Sequence, residues 1–203
     1  MRIAWLDRIG GWNTRLILAA SGAVLAAGCA ASSGIQVKVS EDGTTTKTLP
    51  NNEIRLEGAM KYYGADERSR VIEKQCFLDY RSREAPSGEI SYEIVLTYTG
   101  VDELGIEPGR SLEFIVGMNS YVLSAEGFGK KHRDPTGKSY VETLVYPISG
   151  ERLLRMSEAE SIQMIVNGSS GQVKGTFDGD NFANLRRFVA ECVRSAGAGA
   201  PPK

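Results

Sequence analysis

Glu89-Ile-Ser-Tyr-Glu-Ile-Val-Leu-Thr-Tyr98 is the stretch that decides the fold. Ile90, Tyr92, Ile94, Leu96 and Tyr98 point one way, with Ser91, Glu93 and Thr97 opposite. A period of two over this length is the mark of a half-buried strand, because successive side chains leave a strand on opposite faces. Working upstream, Ala85-Pro86-Ser87-Gly88 breaks the chain, and Val71 to Arg81 alternates again through Ile72, Lys74, Cys76, Leu78 and Tyr80. Downstream, Gly105 to Gly109 is a loop, and Leu112, Phe114 and Val116 alternate before a turn at Met118-Asn119-Ser120 leads into Tyr121 to Ser124. Tyr140 to Ile148 sets Tyr140, Glu142, Leu144 and Tyr146 against Val141, Thr143 and Val145.

Further out, Gly150 to Glu160 reads as a short helix. Ser161 to Val166 and Gln172 to Phe177 read as strands joined by the Asn167-Gly168-Ser169-Ser170-Gly171 turn. The strongest helical pattern runs from Asp180 to Ser195, with Phe182, Leu185, Phe188, Val189 and Cys192 on one stripe and Asp180 placed to accept from free amides at the start. Near the N-terminus, Ile35 to Ser40 and Thr44 to Leu49 flank Asp42-Gly43. That segment is either a hairpin or more of a tether. Short strands, hairpin turns and one terminal amphipathic helix predict a mainly β (α+β) domain: an antiparallel β-sandwich or curved sheet with the C-terminal helix packed on it. Residues 139 to 193 resemble secreted β-sandwich proteins of the invasion-associated locus B type in their order of strand, short helix, hairpin and helix. No residue role is carried over from that pattern.

The first residues have a different character. Arg2, Arg8 and Arg15 oppose the single acid Asp7, and Leu16 to Ala27 is almost wholly apolar. A basic segment, an apolar run of this length and small residues make a secretory signal, too short to cross ~30 Å of hydrocarbon comfortably. Ala26-Ala27-Gly28-Cys29 resembles the lipobox of bacterial lipoprotein precursors, with Leu25 one place further upstream than is usual. The resemblance implies diacylglycerol on the Cys29 thiol, cleavage before Cys29 and acylation of the new amino group. Two or three acyl chains hold a protein stably on a membrane. Ala30 lacks the aspartate that favours inner-membrane retention in such proteins. The resemblance therefore implies a cell-envelope location, lipid-anchored, on the outer membrane facing the periplasm. The expected organisation is a signal peptide over 1–28, a lipidated N-terminus and tether over 29–34, one β-rich domain over 35–195 and a disordered tail over 196–203.

The whole chain has a formal charge of −1, and removing the signal's three bases and one acid leaves −3. Such a balance excludes the basic footprint of a nucleic-acid binder. With Cys29 lipidated, Cys76 and Cys192 remain, and in an oxidising compartment an even pair suggests a disulfide. Closing so long a loop is worth roughly 4–5 kcal/mol in the chain-entropy model.

Catalytic patterns are sparse. His132 is the only histidine and sits in Lys130-Lys131-His132-Arg133-Asp134, which reads as a solvated loop. One histidine and two cysteines expected to pair do not make a zinc site. Thr136-Gly137-Lys138-Ser139 has His132 where a phosphate loop needs a glycine. Asp178-x-Asp180 starts like a calcium loop, but Phe182 and Ala183 stand where a ligand and a glycine belong. Neither cofactor nor metal is expected. Tyr62, Tyr63, Tyr92, Tyr98, Tyr121, Tyr140 and Tyr146 could line a carbohydrate or peptide groove, although at period-two positions tyrosine more often packs in core and rim. Lys130, Lys131, Arg133 and Lys138 form the one local concentration of positive charge, a candidate contact loop for anionic headgroups, glycan or an acidic partner. The reading is a non-enzymatic, membrane-anchored scaffold or interaction protein, with another envelope protein or a glycan as its partner. The alternatives are a binding module for a small or lipidic ligand and a carboxylate-based hydrolase acting on cell-wall material.

Overall fold

The alternation around Ile94 builds an interior strand of an extended antiparallel sheet. In the computed structural model the described residues are 34–57, 61–63, 70–72, 74–127 and 129–194. They lie in a compact unit running from Ser33 to Lys203. Cys29, the signal peptide, the tether before Gly34 and the tail lie outside the described residues.

The strands are β1 (Gln36–Val39), β2 (Thr45–Leu56), β3 (Lys61–Tyr63), β4 (Arg70–Ile72), β5 (Lys74–Glu84), β6 (Ile90–Gly100), β7 (Gly109–Val116), β8 (Asn119–Ala125), β9 (Lys130–Arg133), β10 (Tyr140–Ile148), β11 (Ile162–Gly168) and β12 (Gly171–Thr176). Two helices join them: α1 (Gly150–Ser157), and α2 (Gly179–Phe188) continued by a π-helical turn over Val189–Arg194. Ten strands form one sheet, ordered β8-β7-β11-β12-β2-β5-β6-β10-β9 with β1 alongside β2. β3 and β4 pair only with each other. Every pairing is antiparallel.

The expected mainly β architecture with a C-terminal helix is what the chain adopts, and the sheet is open and curved. Its ends curl together, so that β8 lies beside β10 and the Glu126 N–H donates to the Val145 carbonyl (3.2 Å). No ladder closes that seam. The Ile35–Leu49 segment is a hairpin: Val37 pairs with Lys47, and Val39 with Thr45. Its strand β2 then bulges between Leu49 and Asn52, where the Asn52 side-chain amide donates to the Leu49 and Leu78 carbonyls (3.2 and 2.8 Å).

The inward faces meet in one core. Leu78, Tyr80, Ile94, Leu96, Tyr98, Leu144 and Tyr146 come from one half of the sheet. Leu112, Phe114, Met164 and Val166 come from the other. The C-terminal helix covers this core with Leu185, Phe188, Val189 and Cys192, all buried. Phe188 lies against Tyr80, and Phe182 against Phe177, which in turn meets Phe114 edge-on. The helix begins one residue earlier than the sequence pattern suggests, and its cap is Asp178, not Asp180. Asp178 accepts from the Asn181 N–H (2.9 Å) while the Asn181 side chain accepts from the Asp178 N–H (3.0 Å), a reciprocal cap. Asn181 also donates to the Glu53 carbonyl (2.9 Å), which fixes the helix to β2.

Candidate functional site

The open end of the β8–β10 seam makes a groove of about 860 Å³. Its construction follows from the end of β10. Pro147 cannot donate to a ladder, and the strand stops at Ile148. Ser149 then caps α1, accepting from the Arg152 N–H (3.3 Å). Gly150 lets the helix start pass close to its neighbours: a Cβ there would stand 3.1 Å from the Tyr92 ring and 3.2 Å from the Val193 side chain. The amphipathic pattern of α1 turns Leu153 and Met156 into the core and leaves Glu151, Arg152 and Arg155 on the rim.

Two tyrosines complete the groove. The Arg152 guanidinium stands 5.7 Å from the Tyr121 ring centroid. Arg155 pairs with Glu151 (2.6 Å). A hydrogen bond to the Tyr121 side chain, then the Glu151 charge, hold Arg155 above the usual arginine range. Tyr92 donates its hydroxyl to the Cys192 carbonyl (3.3 Å), so its ring is fixed at the groove wall. Burial, then the neighbouring Cys192, push the Tyr92 phenol up. Arg152 makes no hydrogen bond or ion pair through its guanidinium among the described residues, so its planar fork faces the groove uncommitted. Aromatic faces beside a free guanidinium are recognition chemistry: the rings stack on flat or apolar faces, and the fork takes an anion bidentately.

The tyrosines named from the sequence divide by depth. Tyr98 and Tyr146 are buried, Tyr92 and Tyr121 line the groove, and Tyr140 lies under the Arg133 guanidinium at 4.5 Å. The side chains of Tyr62 and Tyr63 lie outside the described residues.

The basic segment is not wholly a loop. Lys130 to Arg133 form β9, an edge strand paired with β10 through Val141–His132 and Glu142–Lys131. The exposed β9 carries His132 on the edge of the sheet. Lys131 bonds Glu103 (2.8 Å) and lies 3.8 Å from Glu142. The Glu103 bond raises its pKa most, desolvation opposes that, and the Glu142 charge adds to the rise. Arg133 donates to the Gly137 carbonyl (3.0 Å). The turn carrying Lys138 is held by Asp134, which accepts from the N–H groups of Lys138 and Ser139 (2.9 and 3.2 Å). Of the four cations, Lys131 and Arg133 are thus tied to the protein's own groups, and the strand's charge also guards a free sheet edge against self-pairing.

Glu142 is a site that sequence reasoning passed over. It is fully buried and accepts backbone N–H bonds from Leu104, Gly105 and Ile106 at 2.6, 3.0 and 2.7 Å. Gly105 at φ +72 turns the three amides toward one point, an anion-binding curve of backbone. The same loop accepts from the N–H groups of Ser169 and Ser170 (2.9 and 3.0 Å). Glu142 therefore fastens the 104–106 loop onto the core.

Cys76 and Cys192 are both free and both buried. Burial raises the Cys192 thiol, and the neighbouring Ser82 side chain partly opposes it. Burial alone pushes the Cys76 thiol up to about 12.

A second groove, of about 600 Å³, lies on the outer face over β1, β2 and β5. Its Arg81 and Arg83 both pair with Glu93, at 3.3 Å each. Among the described residues no group of three or more His, Cys, Asp or Glu side chains could hold a metal ion. No described helix is long and apolar enough to cross a membrane.

Fold and groove together define an open antiparallel β domain with an aromatic–arginine cleft at its unclosed seam. No protein-family model matches the chain, and neither a curated protein nor a solved structure matches it.

Proposed function

We propose that this chain is a lipid-anchored envelope protein that works by holding another envelope component, with acylated Cys29 as the anchor and the Tyr92–Tyr121–Arg152 groove as the contact. The anchor rests on the signal and Ala26-Ala27-Gly28-Cys29. The observation that carries the contact is the uncommitted Arg152 guanidinium over the Tyr121 ring, in a groove of about 860 Å³. Rigid aromatic and arginine side chains are the ones that dominate binding surfaces. The buried carboxylate, Glu142, is already engaged by three amides, which supports a recognition role over carboxylate chemistry.

The test has two arms. In cells fed labelled palmitate, the full chain takes up label and sediments with membranes, and Cys29→Ser loses both. Undiminished label in Cys29→Ser removes the anchor from the reading. For the contact, a photo-crosslinking residue in place of Tyr121 gives discrete envelope adducts, whereas the same residue at exposed Gln172, near the start of β12, gives none. Equal adducts from both positions, or none from Tyr121, overturn the groove as the contact.

A further inference from the structure

We infer that the groove at the open seam binds an acidic saccharide, a chain of sugar rings bearing carboxylates. This rests on the reading of the groove as the contact surface and adds the chemistry of what it holds.

Shape comes first. The groove lies where β8 and β10 diverge, and the strands come together again at the Glu126–Val145 hydrogen bond of 3.2 Å. On β10, Pro147 has no N–H to offer, while β8 is the end strand of the sheet and keeps an unpaired edge beside the seam. An extended peptide that binds by adding to a sheet needs such an edge. Within the groove the side chains that line it carry the recognition, and the hexaglutamate probe below tests the edge.

Side-chain chemistry comes second. The Tyr92 and Tyr121 rings supply flat apolar faces, and the Ser91 and Ser149 side chains bring hydroxyls to the same wall. Sugar rings present C–H faces to aromatic rings and hydroxyls to polar neighbours. Two arginines stand against one glutamate, which leaves one net positive charge. Arg155 is held by Glu151 and Tyr121, so Arg152 carries the free fork. One planar fork matches one carboxylate bidentately. A phosphate dianion would call for more charge than this groove has. The other groove differs on this point, because its two arginines share Glu93.

The probes are a tetrasaccharide of uronic acid, a neutral glucose tetrasaccharide and hexaglutamate. Each is titrated into the purified acylated chain in a polyoxyethylene detergent. Both tryptophans, Trp5 and Trp12, lie in the signal, so tyrosine fluorescence of the mature chain is readable, with calorimetry as the second measure. The uronate tetrasaccharide binds, and the neutral one binds at least ~tenfold more weakly, as loss of one charge-assisted contact implies. Arg152→Gln weakens uronate binding ~tenfold or more. Tyr121→Ala weakens it too, and Tyr121→Phe, which keeps the ring, weakens it less. Lys138→Gln on the β9–β10 turn leaves it unchanged. Melting curves of each variant confirm that it is folded. Equal binding of the neutral sugar, wild-type affinity in Arg152→Gln, no uronate binding, or tighter binding of hexaglutamate each overturns the inference. Groove adducts from the Tyr121 position in cells without uronate binding would end the saccharide assignment and leave the contact surface standing.

Discussion

Glu142 reaches from the middle of β10 to the backbone of Leu104, and its carboxylate accepts that N–H at 2.6 Å inside the core. A charged side chain is tolerated there because three amides converge on it and Lys131 stands 3.8 Å away. Glu142→Ala leaves those buried N–H groups without an acceptor, at ~1–3 kcal/mol each before relaxation. Urea unfolding should register a loss of ~3 kcal/mol or more. Glu142→Gln keeps one acceptor oxygen and should lose less. Hydrogen exchange locates the effect: the Leu104 and Ile106 amides lose protection first in Glu142→Gln. Unchanged protection there would mean that the loop is held by the Ser169 and Ser170 contacts alone.

The C-terminal helix is a lid on the core, and Phe188 is its deepest ring, 5.7 Å from Tyr80 between centroids. Truncating a buried phenylalanine costs about 3–5 kcal/mol, a large share of a domain's stability. Phe188→Ala should lower the melting temperature by many degrees, while Ala183→Ser on the exposed face of the same helix should change it little. A Phe188→Ala melt equal to wild type would place the helix outside the cooperative unit.

The period-two stretches made the sheet legible, since Ile94, Leu96, Leu112, Phe114, Leu144 and Tyr146 all take the inward positions that their alternation assigns. The β9 strand escaped because four exposed polar residues carry no alternation, and only pairing with β10 makes them a strand. Glu142 left a trace in the sequence. A charge on the same face as Tyr140, Leu144 and Tyr146 is out of place unless something buried receives it. The loop that does so, 37 residues earlier at Gly105, has no local signal. The groove is half legible in the sequence: Tyr92 and Tyr121 stand out as tyrosines, but nothing in the spacing sets Arg152 and Arg155 apart within the short helix. What joins them is the curl of the sheet, a long-range property that spacing does not encode. The choice of helix cap turned on Asn181, whose side chain completes the box with Asp178 and leaves Asp180 in the first turn.

Thiol chemistry checks the placement of the cysteines. Cys76 is at the start of β5 with its thiol pushed up to about 12, and Cys192 is on the π-helical turn with its thiol raised by burial. A chromogenic disulfide reagent attacks the thiolate, so the native chain at neutral pH should react slowly. On denaturation without reductant, the Cys76 and Cys192 thiols should both titrate. Cys192 should react first in native chain, since it ends a terminal helix and Cys76 lies mid-sheet. A count of zero would mean that Cys76 and Cys192 are bonded, and that one of them occupies a different position from the one described.

Asp79 offers a test by pH. It lies half-buried on β5 and accepts the Asn51 N–H at 2.7 Å, where Asn51 holds a left-handed backbone at φ +63. Burial raises its pKa above the ordinary 3.8, and the Asn51 bond and the Arg81 charge only partly oppose that. A carboxyl with a raised folded-state pKa favours the fold while protonated. That contribution is complete below the ordinary value and is lost as pH rises through the folded one. At neutral pH the ionised Asp79 therefore costs stability. Asp79→Asn removes the charge and keeps an oxygen for the Asn51 N–H. It should stabilise the chain at pH 7, and the gain should shrink toward zero as pH falls below the folded pKa of Asp79. Paired denaturant titrations of the two chains across pH 3 to 7 measure this difference directly. A variant less stable than wild type at pH 7, with the deficit vanishing in acid, would reverse the sign and show that the Asn51 bond and Arg81 outweigh burial.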